Sequence, residues 1–344
     1  MVEKTESSTD VETDSMDANS MNASNEESGE SRHVDRGSDA YLADHPRVSS
    51  VVWAWITGIC ALIGSAVAFY LGVMRLTGQR FDSWMWSEFS TAFPFLNTAF
   101  VTPFRNSRII IGICIGMIAL ALIIAIARKR FYTFTLIVIF VLVSFAISFT
   151  LKRVLPRPVL DSLIPDPANS APSGHTAFTV IAGVALIMSV PRILRALVTL
   201  WSTFFTSMVA TMVIFDRWHR PTDVVTAILL VGGLGLITMS FTRASGMDLQ
   251  GKRRSSSSIQ IVSTLFVTLG GAAILYSAYV VSQIVDVIAY QPDAFTTSAA
   301  WATLALIFGT SAVVYGTVLA VRQSTASPLT RIGLIGQPPA PPKK

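Results

Sequence analysis

Charge is scarce in this chain. Charged residues fill 14% of the 344 positions and hydrophobic residues 51%, whereas about a quarter of a soluble domain is charged. That shortage excludes a soluble globular protein, and no nucleic-acid partner is expected of it. Cysteine is almost absent: Cys60 and Cys114 both fall inside apolar runs and read as small apolar residues rather than as a disulfide or a metal pair. There are four histidines, with neither an HExxH pattern nor paired cysteines, so the site is expected to work without a metal or other cofactor.

What the chain has in quantity is long apolar runs. Runs of roughly 20 residues, enough to cross a hydrocarbon core of about 30 Å, extend over 50–74, 109–127, 132–150, 176–190, 194–215, 222–242, 261–281 and 298–321. They predict an all-α polytopic membrane protein with eight spans, the fourth being the shortest. Residues 1–49 carry 12 acidic and four basic residues and almost nothing that forms a core, which predicts a disordered acidic tail. No short apolar stretch with a small-residue cleavage site precedes the first span, which is expected to act as an uncleaved anchor. The remaining organisation is a six-helix core over 50–242, a basic Ser-rich linker over 243–259, two further helices over 260–321 and a tail over 322–344.

Orientation follows from Lys and Arg. With the amino terminus inside, the connections on that side hold 13 basic residues and one acid, Asp248; the opposite connections hold nine basic residues and eight acids. Both termini are therefore expected in the cytoplasm and the opposite face outside.

The outer connections carry the chemistry. Pro172-Ser173-Gly174-His175 is followed after 43 residues by His219-Arg220-Pro221-Thr222-Asp223, with Lys152 and Arg157-Pro158 upstream. Each cluster sits where a membrane helix meets water, so the three can converge on one anionic group, which suggests phosphate chemistry on a lipid. A phosphoryl group in flight spreads negative charge over its oxygens and is stabilised by fixed positive charge. Lys152 supplies a point charge and Arg157 a planar fork of donors. Ser173 is a candidate N-cap for the following helix, with Gly174 letting a ligand approach its first amides. His175 can deliver a proton as a general acid. Pro221 suits the first turn of the next helix, which brings Asp223 near His219. A carboxylate on one ring nitrogen frees the other to attack phosphorus. His219 is the expected nucleophile and Asp223 its orienter. Arg153 reads as a headgroup anchor. The first outer connection, with Gly78-Gln79-Arg80-Phe81-Asp82, Trp84 and Trp86, supplies an interfacial aromatic belt or a lid over the site, the belt being the simpler reading.

With these residues the chain resembles the type-2 phosphatidic acid phosphatase superfamily over roughly residues 50–242. That family has six core helices and three signatures: Lys, six residues, Arg-Pro; Pro-Ser-Gly-His; and Ser-Arg, five residues, His, three residues, Asp. The resemblance implies a metal-independent lipid phosphatase in which His219 forms a phosphohistidine, Asp223 orients it, His175 protonates the leaving group, and Lys152, Arg157, Ser173 and Gly174 bind phosphate. It implies a phosphomonoester or pyrophosphate of a lipid or polyprenyl carrier as substrate, leaving the choice of lipid and an oligomer open. Two departures stand out. The first signature is shortened, with Val159 where the spacing asks for Arg, and the Ser-Arg pair falls on Met212-Val213. Arg217 or Arg220 is the candidate replacement, Arg220 being taken as a phosphate ligand. Two other classes compete: a non-catalytic protein that binds or transports phosphorylated lipids, and a lipid phosphotransferase. The last two spans lie beyond the resemblance and receive no role from it.

Overall fold

Where apolar runs meet polar punctuation, helices begin and end. A computed structural model describes residues 46, 48–160, 168–243, 246, 257–285 and 292–326, all in one unit, His45–Lys344. The acidic tail apart from its last residues, most of the basic linker with its Ser run, and everything past residue 326 lie outside the described residues. Nine α-helices are described: α1 (Val48–Val73), α2 (Leu76–Ala92), α3 (Ser107–Ala127), α4 (Phe131–Val154), α5 (Gly174–Ser189), α6 (Arg192–Phe215), α7 (Pro221–Met239), α8 (Ser257–Ile284) and α9 (Pro292–Ala326). Two 3-10 turns, Pro94–Leu96 and Ala99–Arg105, join α2 to α3. No strand occurs among the described residues. All but α2 and α5 contain a segment long and apolar enough to cross a membrane. The protein is an all-α polytopic membrane protein.

Local chemistry sets the boundaries. Asn106 caps α3, its side chain accepting from the amides of Arg108 and Ile109. Helix α4 stops at Leu155, the residue before Pro156, where the helical conformation is disfavoured. Helix α7 starts at Pro221 in its first turn, where a missing N–H costs nothing.

Burial separates inner from outer helices. The apolar segment of α7 is 72% buried and that of α8 only 17%. Outer helices turn Ile123, Leu142, Phe145 and Leu275 outward, as a lipid solvent requires. Helix α5 is the innermost, with thirteen of its sixteen residues buried. The sequence counts it as a fourth membrane span, but at sixteen residues it is about 24 Å long, short of the roughly 30 Å core. Longer neighbours shield it. The two carboxy-terminal helices are also not a simple addition to a six-helix core. Helix α8 is peripheral, but α9 enters the centre, where the Tyr315 hydroxyl is fully buried 2.9 Å from Thr206 Oγ1. Both extend past the expected limits, to Ser257 and Ala326.

Contacts between helix ends show which ends lie together. At one end, the Arg322 guanidinium donates to the carbonyls of Met188 and Gly246, Arg128 donates to the Ser189 carbonyl, and Arg195 to Gln323. Positive side chains thus reach the carbonyl end of α5, where the helix dipole favours them. The opposite end gathers the start of α3, α5 and α7 and the finish of α1 and α4.

Candidate active site

The third cluster is built around the first turn of α7. Asp223, fully buried, accepts at Oδ2 from the Arg220 main-chain amide at 3.0 Å, so the carboxylate folds back over the helix start. The same oxygen lies 3.3 Å from His219 Nδ1, and Ser170 Oγ donates to it. The His219 main chain is fixed independently, because its amide and that of Trp218 both donate to the Val213 carbonyl at the end of α6. The backbone turns there through Arg217, a non-glycine residue with φ of 60°. With Nδ1 committed to the carboxylate, Nε2 of His219 faces away from it.

The second cluster adjoins the third through main chain, the Ser173 amide donating to the Asp223 carbonyl at 2.9 Å. Ser173 does cap α5: its hydroxyl accepts from the Thr176 amide and hydroxyl at 3.5 and 3.1 Å. It is fully buried, and both bonds use its oxygen as acceptor, which leaves the hydroxyl proton to donate beside the main-chain amides that follow. Gly174 is exposed, and a Cβ there would meet no atom within 4 Å; space lies open above the start of the helix. His175 is half-buried, its Nε2 2.8 Å from Ser107 Oγ and its ring 5.2 Å from that of Trp218. Lys152 and His219 both lie close enough to act on it electrostatically, which brings the first, second and third clusters together around His175.

Arg157 is half-buried on the segment leaving α4 and exerts its charge on Asp82, a residue of α2 that is 1% exposed. Burial, with the Asp223 carboxylate adding to it, raises the Asp82 carboxyl to about 7, while its bond to Thr222 and the charge of Arg157 pull in the other direction. Arg153 packs its guanidinium 3.7 Å from the Phe149 ring centroid on its own helix. Val159 is exposed, whereas Met212 and Val213 are buried in the core, so neither departure position brings a cation to the site. Of the two candidate replacements, Arg217 donates to the Ser87 carbonyl on α2. Arg220 is the one at the centre: 3% exposed, it donates to Ser170 Oγ at 3.2 Å and lies 6.0 Å from the Trp86 ring.

Two residues at the site, Ser107 and Ser170, were not singled out from the sequence. Ser107 arrives from α3 and Ser170 from the segment before α5. Helix α2 contributes through side chains that face the motif loops: Gln79 Nε2 donates to the Pro158 carbonyl at 2.8 Å, Asp82 Oδ1 accepts from the Thr222 amide at 3.2 Å, and Trp86 Nε1 donates to the Arg217 carbonyl at 2.8 Å. Side chains of the first outer connection therefore reach the motif loops directly. A sequence signal exists for this, since positions 79, 82 and 86 share one helical stripe. Arg105 closes the other side of the 216–220 turn, pairing with Asp216 at 2.6 Å.

An oriented imidazole, a second imidazole, helix amides and fixed cations at one end of a bundle can do nucleophilic chemistry on an anion. Among the described residues, no three His, Cys, Asp or Glu side chains gather so as to hold a metal ion. No curated protein and no solved structure matches the chain. One family model does, that of the PAP2 superfamily, over residues 131–247, from the first residue of α4 to just beyond α7. The segment holding all three clusters thus matches the PAP2 superfamily, consistent with membership of the type-2 phosphatidic acid phosphatase superfamily.

Proposed function

We propose that this protein is a membrane phosphatase that hydrolyses a phosphomonoester or pyrophosphate of a lipid or polyprenyl carrier through a phosphohistidine. The family match supports phosphatase chemistry on a phosphorylated substrate. The observation that carries the finer reading is the buried His219–Asp223 contact at 3.3 Å. Asp223 holds the tautomer in which Nδ1 carries the proton, and the Nε2 lone pair attacks phosphorus. As the N–P bond forms, the bond from phosphorus to the leaving oxygen breaks, and His175 protonates that oxygen. His175, now neutral, takes a proton from water, whose oxygen attacks the phosphohistidine and returns free His219 and inorganic phosphate. Lys152, Arg157, Arg220, Ser173 and the amides from Gly174 onward stabilise the equatorial oxygens.

Two features favour an amphiphilic substrate. The site lies at the end of a bundle of membrane-crossing helices. An apolar groove of about 530 Å³, lined by Phe95, Leu96, Met208, Trp301 and Phe308, opens beside the 3-10 turns that follow α2. The distribution of Lys and Arg supports a multi-pass arrangement in the cell membrane with both termini cytoplasmic and the site on the extracytoplasmic side.

Phosphate release by the purified protein and its His219→Ala variant tests this reading. The panel is polyprenyl pyrophosphate, polyprenyl phosphate, phosphatidic acid and phosphatidylglycerol phosphate, each with chelator present. Release that depends on His219, with acid-labile phosphate trapped on the protein, is expected. Lipid binding without release from any member would replace this reading with the binding or transport alternative. Transfer of phosphate to an added alcohol in preference to water would make the protein a phosphotransferase.

A further inference from the structure

One face of α2 holds two of the three clusters. Gln79, Asp82 and Trp86 succeed one another at spacings of three and four residues, which places them on a single stripe. From that stripe Gln79 bonds the carbonyl of Pro158, next to Arg157, while Trp86 bonds the carbonyl of Arg217, two residues before His219. Asp82 lies between them and takes the amide of Thr222, next to Asp223. Helix α2 precedes the segment that matches the family model, so this stripe is a feature of the present chain outside that match.

The middle contact answers a specific deficiency. A helix start leaves its first amides without intrahelical acceptors, and a side chain at the N-cap ordinarily takes one of them. In α7 the N-cap position is Arg220, whose guanidinium has donors and no acceptor. Pro221 has no amide hydrogen, and the Asp223 amide turns back to the Arg220 carbonyl at 3.1 Å. The Thr222 amide is satisfied from another helix, by Asp82 Oδ1 at 3.2 Å. Asp82 thus performs in trans the capping that Arg220 cannot. The arrangement keeps a carboxylate buried, with Oδ2 lacking a hydrogen-bond partner among the described residues. Such burial is costly for a group whose only task is to hold a loop.

We infer that Asp82 is a positioning residue of the phosphatase reaction: by capping α7 from α2 it fixes the turn that carries Asp223 and so aims the His219 ring. This inference rests on the proposed phosphatase function. Asp82 touches no substrate; it acts through Thr222 and Asp223. Since a displacement of about 1 Å at a reacting group can cost on the order of 100-fold in rate, loss of the cap falls on kcat rather than on KM.

The test compares Asp82→Ala, Asp82→Asn and Asp82→Glu in the full-length protein, measuring kcat, KM and thermal unfolding on the best substrate of the panel beside wild type and His219→Ala. Asp82→Ala is expected to lower kcat by about 100-fold with KM little changed. Asp82→Asn, which keeps an oxygen for the Thr222 amide at the same reach, should recover most of that kcat. Asp82→Glu, which keeps the charge but displaces the oxygen, should not, and it serves as the test if the alanine variant does not fold. Wild-type kcat in the alanine or glutamate variant overturns the inference, and so does an asparagine variant as slow as alanine. If wild type itself shows no turnover that depends on His219, the phosphatase reading fails and this inference with it. Turnover in wild type with full kcat in the variants removes this inference alone.

Discussion

The amide of Ser173 donates to the carbonyl of Asp223 at 2.9 Å, so the start of α5 and the first turn of α7 are joined through main chain. His175 follows the first partner by two residues, and His219 precedes the second by four. Their registration survives side-chain replacement at either histidine. Kinetic effects at those positions therefore report on chemistry more than on misalignment.

Asp223→Asn should leave the protein folded and slow it by roughly 10³- to 10⁴-fold, because an amide no longer selects the ring tautomer with a free Nε2. His175→Ala should cost roughly 10²- to 10⁴-fold and, unlike His219→Ala, should still allow phosphate to be trapped on the protein from a substrate with a good leaving group. Single-turnover kinetics with acid-stable and acid-labile phosphate counted separately checks both.

Ser107→Ala tests a contact supplied from outside the family-matched segment. Its hydroxyl lies 2.8 Å from His175 Nε2, and a hydrogen bond of this kind contributes about 1 kcal/mol, or about fivefold in rate if it is present only when the ring is correctly placed. A fall in kcat of that size with unchanged thermal unfolding is expected; equal rates for the two proteins would show that the ring is oriented by other contacts.

The pH dependence of stability should change with Asp82. In the unfolded chain its carboxyl ionises near the ordinary value of about 4; in the folded protein it does so at about 7. Between these two values the folded state binds the extra proton, so stability falls as pH rises through this window and levels off above 7. The cost of ionising the buried group above that point is on the order of a few kcal/mol. Asp82→Asn removes it. The variant should gain in unfolding temperature over wild type at pH 8 and gain little at pH 4, as read by thermal melts across that range.

Gly72, near the end of α1, packs directly on the start of α7. A Cβ there would come within 2.0 Å of Thr222 Oγ1 and 2.7 Å of its Cβ, too close for a rotamer change to relieve. Gly72→Ala should therefore cost about 1–3 kcal/mol, the usual price of overpacking, and lower activity as well, since Thr222 adjoins Asp223. Adding Thr222→Ala removes part of the clash and should restore part of both. A melting temperature in Gly72→Ala equal to wild type would mean that α1 can shift without cost.

The three clusters were legible in the sequence because each is contiguous and punctuated by proline: Arg157-Pro158, Pro172-Ser173-Gly174-His175 and His219-Arg220-Pro221. Those prolines lie at or just beyond helix ends, so the motifs could be assigned to polar ends of apolar spans and their convergence inferred. Ser107, Ser170 and Asp82 could not be assigned in that way. Nothing local distinguishes a serine that touches a histidine 68 positions away from one that does not. The burial of Asp82 depends on how α2 docks, which no neighbouring residue reveals. Ser173 illustrates the opposite limit: its capping role was legible, but its complete burial is a property of packing. The place of α9 was hidden for a similar reason. Its Tyr315 looks like an ordinary polar aromatic within a span until Thr206 and the close-packed Gly183 show the space made for it.

The shortness of α5 has a consequence for the bilayer around the protein. A transmembrane segment shorter than the hydrocarbon thickness normally thins the lipid beside it or tilts its neighbours, at a free-energy cost for each ångström of hydrophobic mismatch. Helix α5 meets almost no lipid, because longer helices surround it and arginines reach inward to its carbonyl end. The membrane responds to the length of the outer helices alone. Hydrophobic match to the bilayer is then a property of the outer helices, and α5 can stay short without adding to the mismatch.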